Sequence, residues 1–275
     1  MAEPIAGYWQ NYIDGQFVDG SAGRLVVDDP ATGGALAEQA LADAGDVDRA
    51  VAAARRCHLS GSLSSLRPVE RGRMVQAMGD YLLAHIDEIA PVLTLESGKP
   101  LWESRIEIEG AARYFEYYGH QAETVEGRSI PLGDGYFDFT VHEPYGVSAQ
   151  VIPWNYPLEM TARSLSAALA TGNACVIKTP ELDPLSSNYI ARAAEAAGLP
   201  RGALNIICGY GHEAGAALSS HPGVDQIVFT GSVATGRAIA RAAAGNVVPC
   251  ILELGGNNAM IVAPSADLDN AVRAI

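Results

Sequence analysis

Two segments of the chain each place one polar side chain directly after an apolar strand. Asn155 lies within Ile152–Pro157, and Glu253 lies within Ile251–Gly256, about a hundred residues further on. A carboxylate between strand-forming residues and a Gly-Gly turn is expected to be buried, with a raised pKa that suits a general base. An amide beside a turn can donate a hydrogen bond to an oxyanion. The two segments therefore predict an active site built on the strand ends of an α/β sheet.

Two further segments offer contacts for a nucleotide. Lys178 and Glu181 follow an apolar strand, where a cation and a carboxylate could both bind the hydroxyls of a ribose. The alternative is a surface ion pair, and this segment by itself does not decide between the two. In Phe229–Gly236 a strand passes through a turn of small residues into a helix, whose free N–H groups could bind a phosphate. That signal is weak alone, because such turns are common and the GxGxxG fingerprint is missing.

The four cysteines do not form a metal-binding or catalytic set. They are isolated, with no CxxC pair and no histidine at a metal-ligand spacing, so neither a disulfide framework nor a metal site is expected. Cys250 lies three residues before Glu253, and side chains on a strand alternate between faces, so the two should point in opposite directions. A packing role is therefore favoured for Cys250. The histidines are scattered, and no nucleophile elbow supports a Ser-His-Asp site.

The chain must position these residues on regular elements, and its first part predicts mainly helices. Asp14-Gly15 is the turn signal of a hairpin within residues 10–30. Asp46 is the expected N-cap of the first helix, which runs through Val47 and Val51. Further helical patterns cover residues 69–86, 87–97 and 102–118.

A change of pattern follows at residues 136–141, where aromatic or aliphatic residues alternate with polar ones. This alternation predicts a strand with one wet face. We expect a protruding hairpin over residues 124–142 that leaves the parent domain. Exposed strands of this kind often pair with another subunit, so the hairpin is a candidate oligomerisation element.

From residue 146 onwards apolar strands alternate with alanine-rich helices. Strands are predicted over residues 146–152, 174–178, 203–207, 225–229 and 248–254. Helices are predicted between them, over residues 157–171, 184–197, 212–220 and 232–244. This alternation predicts an α/β fold, a Rossmann-like parallel sheet with helices on both faces, whose ligands bind at the carboxyl ends of the strands. Residues 267–275 predict an amphipathic helix that is cut within the element.

Composition excludes several classes of partner. The chain has 275 residues and a formal net charge of -14, with 18 Lys and Arg against 32 Asp and Glu, so nucleic acid would be repelled. Met1–Ile5 lacks the basic and apolar regions of a secretory signal, and no apolar run is long enough to span a membrane. We therefore expect a cytoplasmic protein that binds neither nucleic acid nor a membrane.

Taken together, these segments resemble the aldehyde dehydrogenase superfamily. Its hallmark motifs occur here in order, as Pro153-Trp154-Asn155-Tyr156-Pro157, Lys178-Thr179-Pro180-Glu181, Phe229-Thr230-Gly231-Ser232 and Leu252-Glu253-Leu254-Gly255-Gly256. The fragments Leu95–Pro100 and Asn205–Ile207 also look like their counterparts. The resemblance runs through the whole chain. It implies the NAD-dependent oxidation of an aldehyde to a carboxylic acid, by an enzyme that forms a homodimer or homotetramer.

The resemblance also implies a role for each matching residue. Asn155 would hold the oxyanion and Glu253 would activate water. The residues expected to bind NAD are Ile152, Trp154, Lys178, Glu181, Gly211, Gly215, Thr230, Gly231, Ser232 and Leu254. Lys178 and Glu181 would hold the adenine ribose, and Ser232 with nearby amides the pyrophosphate. Glu181 favours NAD over NADP, because a 2'-phosphate about 4 Å away would be repelled by roughly 4 kcal/mol at an effective dielectric of about 20.

The family's nucleophilic cysteine would lie well past the glutamate, beyond Ile275. None of the four cysteines stands at its position, so the chain alone is expected to bind NAD without turning over an aldehyde. The expected domains are an NAD-binding domain over residues 1–123 and 143–254, the bridging hairpin 124–142, and the start of a truncated catalytic domain over residues 255–275. The alternative is a noncatalytic shortened relative that acts as a nucleotide-binding or interaction protein.

Overall fold

A computed structural model of the chain describes residues 7–274. Met1–Ile5, where no secretory signal is expected, and Ile275, in the predicted terminal helix, lie outside the described residues. The helices are α1 (Ala44–Ser60), α2 (Pro68–Ala84), α3 (Ile86–Ser97), α4 (Leu101–Gln121), α5 (Pro157–Ala170), α6 (Ser187–Ala196), α7 (Ala216–Ser220), α8 (Val233–Gly245) and α9 (Leu268–Ala274). The strands are β1 (Tyr8–Trp9), β2 (Asn11–Ile13), β3 (Gln16–Val18), β4 (Arg24–Asp28), β5 (Ala35–Ala40), β6 (Ser129–Ile130), β7 (Asp138–Phe139), β8 (Val147–Val151), β9 (Ala174–Thr179), β10 (Leu204–Cys208), β11 (Gln226–Gly231) and β12 (Cys250–Leu254).

The central sheet has seven strands in the order β12-β11-β8-β9-β10-β2-β3. The five strands from β12 to β10 are parallel, and β2 and β3 extend the sheet as an antiparallel edge. Among the parallel strands β8 comes first in the chain, with β9 and β10 on one side of it and β11 and β12 on the other. The winding direction therefore reverses between β8 and β11. In open α/β sheets, ligands bind in the crevice beyond the carboxyl ends of two such strands.

Helices lie on both faces of the sheet, as predicted, although one face of β11 and β12 is partly open. Every residue of β8, β9 and β10 is buried, which is typical of parallel strands between two helical layers. α1 packs against β8, β9 and β10, while α5 packs against β8 and β9 and is itself covered by α2 and α4. The predicted fold class is therefore confirmed. No helix within residues 7–274 is long and apolar enough to cross a bilayer.

The amino-terminal region differs from its prediction in extent. The Asp14-Gly15 turn is confirmed, with positive φ values of 53° and 73° between β2 and β3. The hairpin ends at Val18, however, and residues 24–28 form β4 of a separate sheet with the order β1-β5-β4. The hairpin joins the main sheet because its backbone and side chains bond to β10. Asn11 Oδ1, for example, accepts a hydrogen bond from the Cys208 N–H at 2.8 Å.

The prediction that Asp46 is the N-cap of the first helix is wrong. Asp43 is the N-cap of α1, and Asp46 lies three residues further on. Each carboxylate accepts a hydrogen bond from the other residue's N–H at 3.1 Å, which makes a capping box. Both ends of the box carry the same side chain, so the sequence pattern did not distinguish them.

Other boundaries shift by a few residues. The helix predicted over residues 184–197 begins at Ser187, and the one predicted over 212–220 is a π-helical turn, Gly211–Gly215, followed by α7. The predicted hairpin over residues 124–142 is present as β6 and β7, a two-stranded sheet apart from the others. Only Asp138–Phe139 is paired within the strand predicted over residues 136–141. Its oligomerisation role stays a prediction.

Candidate active site

A cavity of about 520 Å³ lies in the crevice where β8 and β11 end. Its walls come from the segment after β8, the turn after β11 and the end of β12. They are formed by Pro153, Trp154, Asn155, Arg163, Thr230, Gly231, Ser232, Glu253, Leu254 and Gly255. The two candidate catalytic residues, Asn155 and Glu253, thus line the same cavity at the switch point of the sheet. Their convergence depends on the pairing of β8 with β11 and of β11 with β12.

Glu253 is exposed in this chain, so the expectation of a buried carboxylate is wrong. The physical reason is its position on β12, which is one of the two edge strands of the sheet and pairs with β11 alone among the described strands. Ile251 and Glu253 face the same side and line a second cavity of about 400 Å³, which also contains Arg163. Cys250 and Leu252 pack against the core on the other side. The prediction that Cys250 and Glu253 face in opposite directions is confirmed.

The segment that carries Asn155 connects β8 to α5. Ile152 is buried, and its N–H donates to the Lys178 carbonyl at 3.1 Å, which continues the pairing of β8 with β9. Trp154 and Asn155 are exposed to the cavity, and Pro157 starts α5. Proline suits the first position of a helix, because its fixed φ is helical and no N–H is needed there. The segment therefore presents two side chains between a fixed strand end and a fixed helix start.

Lys178 and Glu181 form a second group at the end of the neighbouring strand β9. Lys178 is only 3% exposed, so a surface ion pair does not describe it. Its ammonium pairs with the Glu181 carboxylate, whose Oε1 also accepts from the Gly211 N–H at 3.4 Å. Burial acts to raise the pKa of Glu181, but the hydrogen bond and the charge of Lys178 outweigh it and lower that pKa. Glu181 is therefore ionised at neutral pH and oriented by its neighbours.

The turn between β11 and α8 has the features of a phosphate site. Ser232 is the N-cap of α8, and its Oγ accepts from the Thr235 N–H at 3.1 Å. The amides of Val233 and Ala234, in the first helical turn, lie outside the helix's own ladder of hydrogen bonds. A Cβ at Gly236 would lie 2.5 Å from Leu254, so glycine lets α8 pack directly on the end of β12. The positive end of the helix dipole thus faces the cavity.

Five of the ten residues expected to bind NAD do not line the crevice cavity itself. Two of them are Lys178 and Glu181, described above. Ile152 lies beneath the cavity in the core, Gly211 lies beside Glu181, and Gly215 is buried within the π-helical turn. Arg163, which sequence reasoning missed, lies on α5 and lines both cavities. Its guanidinium donates to Thr230 Oγ1 at 3.0 Å. The available signal was that Arg163 is the one cation in α5.

The cysteines do not supply a nucleophile to this cavity. Cys57, Cys175 and Cys208 are buried free thiols. Burial raises the pKa of all three, that of Cys208 to about 12, so none forms a thiolate readily. Across the described part of the chain, no group of three or more His, Cys, Asp or Glu side chains could hold a metal ion.

The fold is that of a doubly wound α/β protein with a crevice at its switch point, which is where proteins of this class bind ligands. Residues 17–275 match the model of the aldehyde dehydrogenase family. The chain therefore belongs to that family, and the resemblance inferred from its four motifs is confirmed.

Individual relatives agree with this assignment. The chain is 44% identical over 266 residues to aldehyde dehydrogenase family 2 member B4, mitochondrial, of Arabidopsis thaliana, covering 96% of this chain and 49% of the relative. It is 40% identical over 269 residues to human retinal dehydrogenase 2, covering 96% and 52%. The NAD+ complex of an aldehyde dehydrogenase from Bacillus cereus superposes with a TM-score of 0.94 at 36% identity, covering 97% and 55%. The chain thus spans about half the length of the relatives it matches.

Proposed function

We propose that this chain is the NAD-binding half of an aldehyde dehydrogenase that oxidises an aldehyde to a carboxylic acid. The observation that carries the proposal is that Asn155 and Glu253 line one cavity at the switch point of the sheet. The proposed domains are an NAD-binding domain over residues 1–123 and 143–254, the hairpin 124–142, and the start of a catalytic domain over residues 255–275. Membership of the family and a relative solved with NAD+ support this assignment.

The residues around the crevice suit a dinucleotide. Lys178 and Glu181 offer a donor and an acceptor to the hydroxyls of the adenine ribose, beside the backbone of Gly211. The first-turn amides of α8, with Ser232, suit the pyrophosphate. The other residues proposed to contact NAD through backbone or apolar surface are Ile152, Trp154, Gly215, Thr230, Gly231 and Leu254. Bound NAD would supply a hydride acceptor.

Asn155 and Glu253 have complementary roles in this proposal. The Asn155 amide would donate a hydrogen bond to the carbonyl oxygen of the aldehyde, where negative charge develops. The Glu253 carboxylate would take a proton from the water that releases the acid. The family's nucleophilic cysteine is proposed to lie outside the 275 residues, because none of the four thiols faces the cavity that these two residues line.

Purified chain mixed with NAD and acetaldehyde is therefore expected to form no NADH. The missing thiol removes the covalent step on which both other residues act. The Asn155→Ala variant, prepared in the same way, measures the background from any contaminating dehydrogenase. NADH formation by the unmodified chain above that background would contradict the placement of the thiol.

Calorimetric titration with NAD and NADP tests the cofactor. We expect saturable binding of NAD and at least about tenfold weaker binding of NADP, since the Glu181 carboxylate repels a 2'-phosphate. The ion pair with Lys178 offsets part of this repulsion. The difference in binding free energy between NAD and NADP should therefore be smaller than the full Coulomb repulsion between the carboxylate and a 2'-phosphate at about 4 Å. The matched variant Glu181→Gln should reduce the difference in affinity between NAD and NADP, mainly because it binds NADP more tightly. Equal affinity of the unmodified chain for both nucleotides would remove the role given to Glu181.

A second candidate function is that of a noncatalytic nucleotide-binding or interaction protein. The aromatic surface of the hairpin favours it, since Tyr136 and Phe137 are 74% and 83% exposed.

Under either function we propose that the hairpin joins copies of the chain into a homodimer or homotetramer. Sedimentation equilibrium would show a monomer if that is wrong. An in-frame gene sequence past codon 275 that encodes a cysteine motif would favour the enzyme, and a stop codon the second candidate.

A further inference from the structure

Two charged residues with no assigned role lie behind the Asn155 segment. Lys99 follows α3, and Glu107 lies in α4. Their side chains form an ion pair and are only 9% and 0% exposed. Lys99 belongs to the fragment Leu95–Pro100, which resembles its counterpart in the family but has no function in the proposed reaction.

Both members of the pair bond to the segment that carries Asn155. Lys99 Nζ donates to the Asn155 carbonyl oxygen at 2.9 Å and lies 4.4 Å from the centroid of the Tyr156 ring. Glu107 Oε1 accepts from the N–H of Leu158 at 2.9 Å and of Glu159 at 3.3 Å. One ion pair therefore fixes the backbone on both sides of Pro157.

The carboxylate of Glu107 replaces a missing local cap. The N-cap position of α5 is Tyr156, whose side chain does not cap the helix. Glu107 instead reaches across from α4 and satisfies two of the amides that a helix start leaves without partners. Its negative charge also lies at the positive end of the α5 dipole. The start of α5, and with it the register of the preceding segment, thus depends on a residue far away in the chain.

A buried ion pair is a costly way to hold two elements together. Removing two charges from water costs several kcal/mol each, and apolar residues of similar volume often serve stability equally well. An apolar side chain at position 99, however, has no donor for the Asn155 carbonyl. The specific effect of this pair is therefore the geometry of the segment that it bonds.

We propose that Lys99 is a positioning residue for Asn155, and that Glu107 aligns Lys99. The inference rests on the proposed function of Asn155 as donor to the aldehyde oxygen. Because Lys99 holds the Asn155 carbonyl, the side-chain amide projects into the cavity from a fixed backbone. A donor that is fixed in advance needs no reorganisation when charge develops on the substrate.

The double variant Lys99→Met/Glu107→Gln tests this role. It removes both charges together, and the glutamine oxygen can still accept from the amides of Leu158 and Glu159, so the fold should persist. The readouts are the side-chain amide signal of Asn155 in a 1H–15N spectrum, assigned with Asn155→Asp, and the Kd for NAD. We expect the chemical shift of the Asn155 side-chain amide to move to the value of a freely rotating asparagine. The Kd should rise about tenfold if the ordered segment is then populated in about a tenth of the molecules.

The matched control is Arg55→Met/Asp225→Asn. Asp225 Oδ2 pairs with Arg55 at 2.7 Å and accepts from the Val147 N–H at 2.7 Å, so the same chemistry holds the opposite end of β8. We expect this variant to leave the Asn155 signal and the Kd unchanged. Lys99→Arg, which keeps a cationic donor, should preserve the Asn155 signal.

Two outcomes would overturn the proposal. One is an unchanged Asn155 signal in the double variant, and the other is an equal change in the control. If the double variant fails to fold, the NMR signal of the Lys99 ammonium in the unmodified chain is the test. A hydrogen-bonded ammonium is protected from solvent exchange, so a rapidly exchanging Lys99 ammonium would contradict its bond to the Asn155 carbonyl. An unmodified chain that does not bind NAD would contradict the proposed function, but the Asn155 signal would still test the positioning.

Discussion

Replacing Glu107 by alanine is expected to lower the free energy of unfolding by about 3–5 kcal/mol. The substitution leaves the Lys99 ammonium, 9% exposed, without its carboxylate partner. It also leaves the amides of Leu158 and Glu159 without their acceptor at the start of α5. An unpaired buried charge and unsatisfied buried donors are among the few causes of losses this large. Chemical denaturation of both proteins, with the midpoint and slope compared, measures the change.

Glu109→Ala is the matched control for this prediction. Glu109 lies on the same helix and is exposed, so its removal should change the stability by no more than about 0.5 kcal/mol. Lys99→Met/Glu107→Gln should cost less than Glu107→Ala, because no charge is then left unpaired. A loss in Glu107→Ala no larger than that in Glu109→Ala would show that the buried pair does not stabilise the fold.

Lys178→Met is expected to weaken NAD binding by about 10- to 150-fold. Hydrogen bonds to a charged group contribute about 1.5–3 kcal/mol, and each 1.4 kcal/mol is a factor of about ten in affinity. Methionine has a similar length and fills the buried path of the lysine side chain without its charge. Glu181 has a partly exposed side chain, so water can solvate it when its partner is lost. Calorimetric titration with NAD measures the effect.

Arg56→Met is a suitable control for the change in net charge. Its side chain is 64% exposed and pairs with Asp14 on the surface, away from the crevice. We expect it to bind NAD as the unmodified chain does. If Lys178→Met and Arg56→Met both bound NAD with the affinity of the unmodified chain, Lys178 would not contact the ribose, and the ribose site would have to be placed elsewhere in the crevice.

The sequence was a good guide wherever the signal is local. The Asp14-Gly15 turn predicted a hairpin because few residue pairs adopt two positive φ angles in succession. The apolar strands and alanine-rich helices after residue 146 predicted a parallel sheet, because a strand covered on both faces has no polar side. The alternation of faces on β12 placed Glu253 and Cys250 on opposite sides.

The sequence was a poor guide to which elements meet. Residues 24–28 and 35–40 form a small sheet with β1, a pairing that no local pattern indicates. Glu253 was expected to be buried because it is flanked by strand-forming residues, yet it lies on the edge strand and is exposed. A short apolar strand such as β12 can occupy either an edge or a central position, so its place in the sheet follows from the strand order.

The residues themselves indicated the class of fold, the family and the side chains that we propose bind NAD and polarise a carbonyl. These conclusions depend on residue types within short segments, where backbone preferences and side-chain chemistry act between neighbours. The sequence also predicted one site for Asn155 and Glu253, and the structure places both on one cavity. Tertiary structure alone decided that Glu253 is exposed and that Lys99 bonds the Asn155 carbonyl from 56 positions away. Such contacts form only when the packed helices and paired strands bring distant parts of the chain together, so no short stretch of sequence specifies them.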